Sequence, residues 1–289
     1  MELQFNLNII NEVPVETPQG IYSLNDIVTK RDSYDKYTKD INAYIKKNKP
    51  VSLKDILSFV EMICPDLKPL HDLSYFKGKP LNKGIFGQVI EQALFGNKPN
   101  CISEADLYTL GIELKIIPMK ELKKTTKYPY GRMNMKERTK LSHAGCEKTP
   151  ETFNNILIAD RFEDTKCYKK SKNISYIGFH SPNKKWKSLE DLLKNKILFI
   201  TTISLGTLPD NLKNEMEEDF TKIQKSLREK NYTQRGQNSI HCHRCGSKGA
   251  DGNRALGFTP KFTLKMITQV LGIAIECKGR SSWIRADSL

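Results

Sequence analysis

The sequence predicts a mixed α/β fold, a central mixed sheet flanked by helices, on three observations. Apolar residues recur at helical intervals through the first 70 positions, Ile-rich runs of strand composition follow in the middle of the chain, and an amphipathic helix spans 208–230. With 289 residues and 38% hydrophobic content, the chain can build one large domain or two modest lobes around a real core.

The N-terminal helices are carried by SLNDIVTKR, YDKYTKDINAYIKK and SLKDILSFVEMI, the last opened by a serine cap. They define a helical scaffold at 1–70. LNKGIFGQVIEQALFG sets Gly84 and Gly87 at the start of a helix with Ile85, Val89, Ile90 and Leu94 available for burial; it carries Glu91 and ends at Gly96. DLYTLGIELKIIPM predicts two short strands about a Leu110–Gly111 turn. FNNILIADRF and ISYIGFH predict further strands, and KILFITTISL fits a strand or a buried helix. In LPDNLKNEMEEDFTKIQKSLREK, Leu212, Met216, Phe220, Ile223 and Leu227 recur every three or four residues. A polar, Gly-rich segment then leads to a last helix about FTLKMITQVLGIAIE. The expected division is a central lobe at 71–207 and a second lobe at 208–289, with a cleft between them.

Lys and Arg outnumber Asp and Glu by 47 to 33, a net charge of +14, so a polyanion is the first partner to consider. The excess is uneven: between Lys115 and Lys148 ten basic residues face three acids, Glu121, Glu137 and Glu147. A solvated face is the plainer account of scattered lysines, but this patch directly follows the most unusual stretch of the chain. No run approaches the roughly 18 apolar residues of a membrane span, and MELQFNLNII lacks a basic start followed by an apolar signal core. A cytoplasmic protein with no membrane partner is expected. The seven cysteines have no framework spacing, which fits reduced thiols.

The unusual stretch is DLYTLGIELKIIPMK, with Asp106, Glu113 and Lys115 inside an apolar run. In a strand, Glu113 and Lys115 project to one side while Leu114 faces the core, and Asp106 can fold back across the turn to meet them. Two converging carboxylates make a hard oxygen site suited to Mg²⁺, and a nearby lysine can orient water or offset charge on a phosphate. The competing account is a surface hairpin with a cross-strand ion pair worth ~0.2–1 kcal/mol.

The flanks bear on that choice. The run Lys83, Gly84, Gly87, Glu91, followed by Asp106 and by Gly111, Ile112, Glu113, Leu114, Lys115 and Pro118, resembles the MutH family of DNA endonucleases. That family includes a mismatch-repair nicking enzyme and type II restriction relatives that act at GATC. NMKERTKL, at Asn134 to Leu141, is similar to a segment of the restriction branch, and GSKGADGNRALGF, at Gly246 to Phe258, to the family's recognition segment. The resemblance spans roughly residues 77–270.

It implies a restriction-endonuclease-like PD-(D/E)XK core with a DNA cleft between the catalytic lobe, 71–207, and a DNA-recognition lobe, 208–289. It makes Asp106 and Glu113 metal ligands, the Leu114 carbonyl a further ligand, Lys115 the catalytic lysine, and Glu91 a supporting group at the same site. Lys248 matches the lysine of the recognition loop, with Arg254 in the same loop, and Lys83, Arg132, Lys136 and Lys140 are candidate phosphate contacts. The family's auxiliary lysine, four residues ahead of the first apolar position (Ile156) of the strand read here as NNILIAD, falls on Thr152; Lys148, four residues earlier, is the substitute. Thr259 stands after Gly257 and Phe258, where the mismatch-repair branch has an aromatic residue.

HCHRC, His241 to Cys245, raises a zinc site, but its ligands are too crowded for structural zinc, and a strand with alternate side chains buried is the plainer reading. The expected activity is Mg²⁺-dependent hydrolysis of double-stranded DNA by a type II restriction enzyme, with GATC the first guess. That role implies a cognate methyltransferase, and a homodimer on DNA is natural. The alternatives are a strand-nicking mismatch-repair enzyme and an inactive DNA-binding protein.

Overall fold

The computed structural model describes residues 22–79, 81–98, 104–135, 139–141, 155–181, 186–229, 237–244, 254–278 and 281–289. Its centre is a seven-stranded mixed sheet. The helices α1 (Leu24–Thr29), α2 (Arg31–Lys47) and α3 (Leu53–Ile63) come first, with the short strand β1 (Val51–Ser52) between α2 and α3. Ser52 caps α3 reciprocally with Asp55, as its sequence predicts. Helix α4 (Lys83–Phe95) follows, capped by Asn82 at its start and by left-handed Gly96 at its end.

The remaining strands of the large sheet are β2 (Ile112–Leu122), β3 (Arg132–Met135), β5 (Asn173–His180), β6 (Lys196–Ser204), β9 (Ile275–Lys278) and β10 (Ser281–Arg285). They are ordered β1-β6-β5-β2-β3-β10-β9, and the β2–β5 pair is parallel while the others are antiparallel. A second, antiparallel sheet joins β4 (Thr139–Lys140), β8 (Arg254–Phe258) and β7 (Ile240–Arg244). Short helices α5 (Lys166–Ser171) and α6 (Leu189–Leu193), the long α7 (Asp210–Arg228) and α8 (Pro260–Leu271) complete the described elements.

Strand alternation sorts the apolar residues into two cores, one on each face of the large sheet. Ile112, Leu114 and Ile116 of β2 and Ile177 and Phe179 of β5 join the core built with α1–α4. Ile117, Met119, Ile174 and Tyr176 join the other, built with α7, α8 and the small sheet. These cores cross the sequence boundaries at 70 and 207: α1–α3 pack with α4 on a sheet that takes β1 from before residue 70 and β9 and β10 from after residue 207. Helices α1–α3 thus belong to the layer packed on one face of the sheet.

Four local expectations are corrected. The stretch before Ile112 is not a strand: residues 108–110 form a 3-10 turn closed by left-handed Gly111, and a bridge between Leu107 and Ile112 replaces a hairpin. FNNILIADRF holds a helical turn at 155–158, where Ile156 is buried and Ile158 is 76% exposed. Its carbonyls find partners on α7: Gln224 donates to Ile156 and Ala159, and Arg228 to Leu157. The last helix stops at Leu271 because Gly272 adopts the left-handed cap, and Ile275–Lys278 becomes strand β9. HCHR is a strand, but His241 and Cys242 are both buried because both of its faces are covered. A Cβ on Gly257 would lie 3.0 Å from the His241 ring, so the glycine makes room for it. KILFITTISL proves to be strand β6.

Asp219 of α7 ties the small sheet to the large core. Its buried carboxylate accepts from the backbone N–H groups of Asn238 and Ser239, both at 2.7 Å, and from the Ser239 hydroxyl at 2.9 Å. Cys64, Cys167 and Cys242 are buried, and none of the three forms a disulfide. Among the described residues no helix is long and apolar enough to cross a membrane.

Gly178 is the tightest point of the large sheet. A Cβ there would sit 2.4 Å from the Phe199 ring, which fills the space over the glycine. Gly178→Ala is expected to cost about 1–3 kcal/mol, read as a lowered midpoint in thermal or urea unfolding.

Candidate active site

The N-terminal half of β2 is bonded along one edge only. β5 pairs with residues 112–119, whereas β3 pairs from Met119 onward. No strand covers the other edge before Met119 among the described residues. Asp106 occupies that edge, its Oδ2 accepting from the Leu114 N–H at 2.8 Å. The N–H and C=O of a strand residue leave the same edge, so the Leu114 carbonyl also faces the Asp106 side. The 3-10 turn after Asp106 reverses the chain, and Gly111 (φ +59) supplies the conformation that lets it re-enter as β2.

Glu113 and Lys115 share one face of β2, as alternation requires, while Leu114 and Ile116 anchor the other in the N-terminal core. Glu113 is 1% exposed. Its Oε1 accepts from the Lys115 ammonium, and its Oε2 is buried with no hydrogen-bond partner. Helix α4 brings in Glu91 and packs against β2, where a Cβ on Gly87 would meet the Ile116 side chain at an ordinary contact distance of 3.5 Å.

The electrostatics confirm that these groups feel one another. Burial pushes the Glu91 carboxyl up to about 7, with Asp106 and Glu113 raising it further and Lys115 opposing. Burial, then Glu113, raises Asp106 to about 6, against the pull of Lys115 and the Leu114 N–H. A cluster of acids that resist ionisation beside one ammonium is set up to gain a cation. The donor set is hard oxygen, and the orphaned Glu113 Oε2 is an acceptor in need of a partner. Among the described residues no three His, Cys, Asp or Glu side chains form a preassembled cage. Hard oxygen donors of this kind fit a divalent cation.

Not every residue singled out in the sequence lies at this cluster. Arg132 pairs opposite Leu122, nine positions along β2 from Glu113 and so roughly 30 Å away. There its guanidinium stacks over Tyr128, 4.1 Å from the ring centre, and lies 5.2 Å from that of Trp283. Lys83 opens α4, Lys140 lies in β4 and Arg254 opens β8; their side chains fall outside the described residues, as do Lys136, Lys148 and Lys248 altogether. Thr259 is the N-cap of α8, its hydroxyl accepting from the Phe262 N–H and donating to the Asn238 carbonyl. That capping duty accounts for a threonine there. Asn97 and Asp219 escaped the sequence reading; the Gly96-Asn97 pair after a helix was the available signal for the first, and nothing local marks the second.

A seven-stranded mixed sheet flanked by helices, with two acids and a lysine gathered at one end of a central strand, is a restriction-endonuclease-like fold of the PD-(D/E)XK class. Residues 95–204 form a MutH family domain, matching the family model described as DNA mismatch repair enzyme MutH. The match contains Asp106, Glu113, Leu114 and Lys115 and stops short of Glu91 and the Gly246–Phe258 segment. No curated protein matches the chain. The match supports a nuclease that acts on DNA.

The raised Glu91 carboxyl has a consequence for metal-free protein. The folded state holds the Glu91 proton more tightly than the unfolded chain, so the associated stability is fully present below about 4.5 and is lost as pH rises through about 7. Glu91→Gln removes that loss. In chelator the variant should melt above wild type at pH 8, by up to about 3 kcal/mol, and the gap should close as pH falls toward 4.5 in a thermal-unfolding series.

Proposed function

We propose that the protein is a divalent-metal-dependent, sequence-specific endonuclease for double-stranded DNA, acting as a type II restriction enzyme with GATC the first site to test. The observation that carries this reading is the Asp106, Glu113 and Lys115 constellation at the open edge of β2, with Glu113 Oε2 left without a partner. The net charge of +14 supplies the long-range attraction for a polyanion.

Asp106, Glu113 and the Leu114 carbonyl would hold Mg²⁺, with Glu91 supporting them. The ion supplies a Lewis acid for the phosphate and lowers the pKa of a coordinated water. The chain's own groups do the rest. Lys115, steered by Glu113, can donate from Nζ to the phosphodiester as charge builds on it. Leu114 and Ile116 hold the strand rigid beneath the reacting phosphate. The cleft for the duplex would lie between the catalytic lobe, 71–207, and the recognition lobe, 208–289.

Lys83, Lys136 and Lys140 would contact phosphates; Arg132 would do so about 30 Å from the acids, within the span of a bound duplex. Lys248 and Arg254 would address base edges. Lys148 is the candidate auxiliary lysine. The chain would work in the cytoplasm beside a cognate methyltransferase, with two copies meeting on a palindrome.

A second reading, a strand-nicking mismatch-repair enzyme, is favoured by the description of the matching family. Plasmid incubation separates the two. Unmethylated supercoiled DNA with Mg²⁺ should go to linear fragments with fixed ends if the protein restricts; nicked circles that need added repair proteins would establish the second reading. No cutting at all with retained DNA affinity would leave an inactive binder.

Asp106→Ala and Glu113→Ala should each abolish cleavage while sparing DNA binding measured in Ca²⁺. Normal cutting by either variant overturns the site. Lys248→Ala should lose about 1–3 kcal/mol of discrimination at one base pair with non-specific binding kept, as read by competition binding; an unaltered preference would remove Lys248 from base recognition.

A further inference from the structure

Asn97 lies just past the left-handed cap of α4 and bonds to the main chain of two of the acids. Its N–H donates to the Glu91 carbonyl at 3.3 Å, and its side-chain Nδ2 donates to the Asp106 carbonyl at 2.6 Å. Both acceptors are carbonyl oxygens, so the amide orientation follows from chemistry: only the NH₂ group can serve Asp106.

The cap that aims Asn97 is itself fixed. Gly96 has φ +71, its N–H donates to the Gln92 carbonyl at 3.0 Å, and a Cβ there would fall 2.9 Å from Leu24 and 3.0 Å from Leu70. Asp106 therefore has two holds: Leu114 N–H on its carboxylate and Asn97 Nδ2 on its carbonyl. The first tethers Asp106 to β2 and the second tethers it to α4, the element that carries Glu91.

We propose that Asn97 is a positioning residue for the cation site, fixing the Asp106 backbone relative to Glu91 so that the carboxylates are presented together. It touches neither the phosphate nor the cation. The inference rests on the nuclease reading above, since it assigns Asn97 to the same site. Loss of the Nδ2 donor leaves the Asp106 carbonyl without that bond and lets the segment pivot about Leu114. Groups that orient metal ligands typically carry a 10–100-fold effect on metal affinity or activity.

The test uses the full chain without DNA first. Mn²⁺, a paramagnetic stand-in for Mg²⁺, is titrated and free ion followed by electron paramagnetic resonance for wild type, Asp106→Ala, Asn97→Ala and Asn97→Leu. The leucine variant keeps the size of the side chain and removes the donor. Both Asn97 variants should bind Mn²⁺ about 10–100-fold more weakly, with thermal midpoints close to wild type.

On DNA they should lose kcat at limiting Mg²⁺, keep KM within about twofold, and recover rate as Mg²⁺ is raised. Mn²⁺ affinity unchanged in both variants overturns the inference, as does a loss of affinity seen only alongside a collapse of the melting midpoint in both. Wild type that binds Mn²⁺ through Asp106 yet never cuts DNA would overturn the nuclease reading while the affinity loss upholds the role of Asn97. Wild type in which Asp106→Ala leaves Mn²⁺ binding intact overturns the inference together with the site.

Discussion

A carboxylate removed from water needs a partner, and the Glu113–Lys115 pair is the constraint around which the rest of this molecule is arranged. Glu113 is 1% exposed and sits in a strand whose neighbours on both sides are apolar. An unpaired charge there would cost several kcal/mol. Lys115, two positions on and so on the same face, neutralises one oxygen. The other oxygen stays buried and unpaired, and neighbouring Asp106 and Glu91 are driven toward protonation by burial and by one another. The protein holds a cluster of unsatisfied negative potential in a fixed place, which costs stability in the absence of a cation and favours taking one up.

The layers of the fold serve that placement. Alternation along β2 sends Leu114 and Ile116 into the core under α1–α4 and leaves the opposite face at this end for Glu113 and Lys115; further along, the same face is filled by Ile117 and Met119. The sheet is unequal on its two edges of β2 as well. Because β3 joins only from Met119, the earlier residues keep one edge open, and Asp106 fills it with a single charged acceptor. Chemistry is thereby concentrated at one end of a strand that is structural at the other.

At that far end the basic residues have different duties. Arg132 lies against Tyr128 and Trp283, and Arg285 lies over Tyr130 while paired with Asp287. These cations are held by aromatic faces and a carboxylate, so a count of positive charge overstates what is free to meet DNA. Asp219 plays a comparable structural part in the other layer, anchoring the start of β7 to α7 through three hydrogen bonds.

The helices α2, α3, α4 and α7, strand β5, and the shared face of Glu113 and Lys115 were legible in the chain because each depends on local periodicity or on a cap written within a few residues, whereas the continuous apolar run of β6 fits a strand or a helix equally. The acid and lysine set itself was visible for the same reason, since i and i+2 in a strand always share a side. Local pattern misjudged the segment before Ile112 and the run at 155–158, where the decision lay elsewhere: in the Leu107 to Ile112 bridge, and in Gln224 and Arg228 reaching from α7 to carbonyls that no strand meets. The open edge of β2, the tie through Asn97 and the burial that raises the two carboxyls came from packing alone. Each depends on which surfaces meet across tens of residues of intervening chain, and hydrogen bonding and desolvation at such meetings leave no period in the sequence.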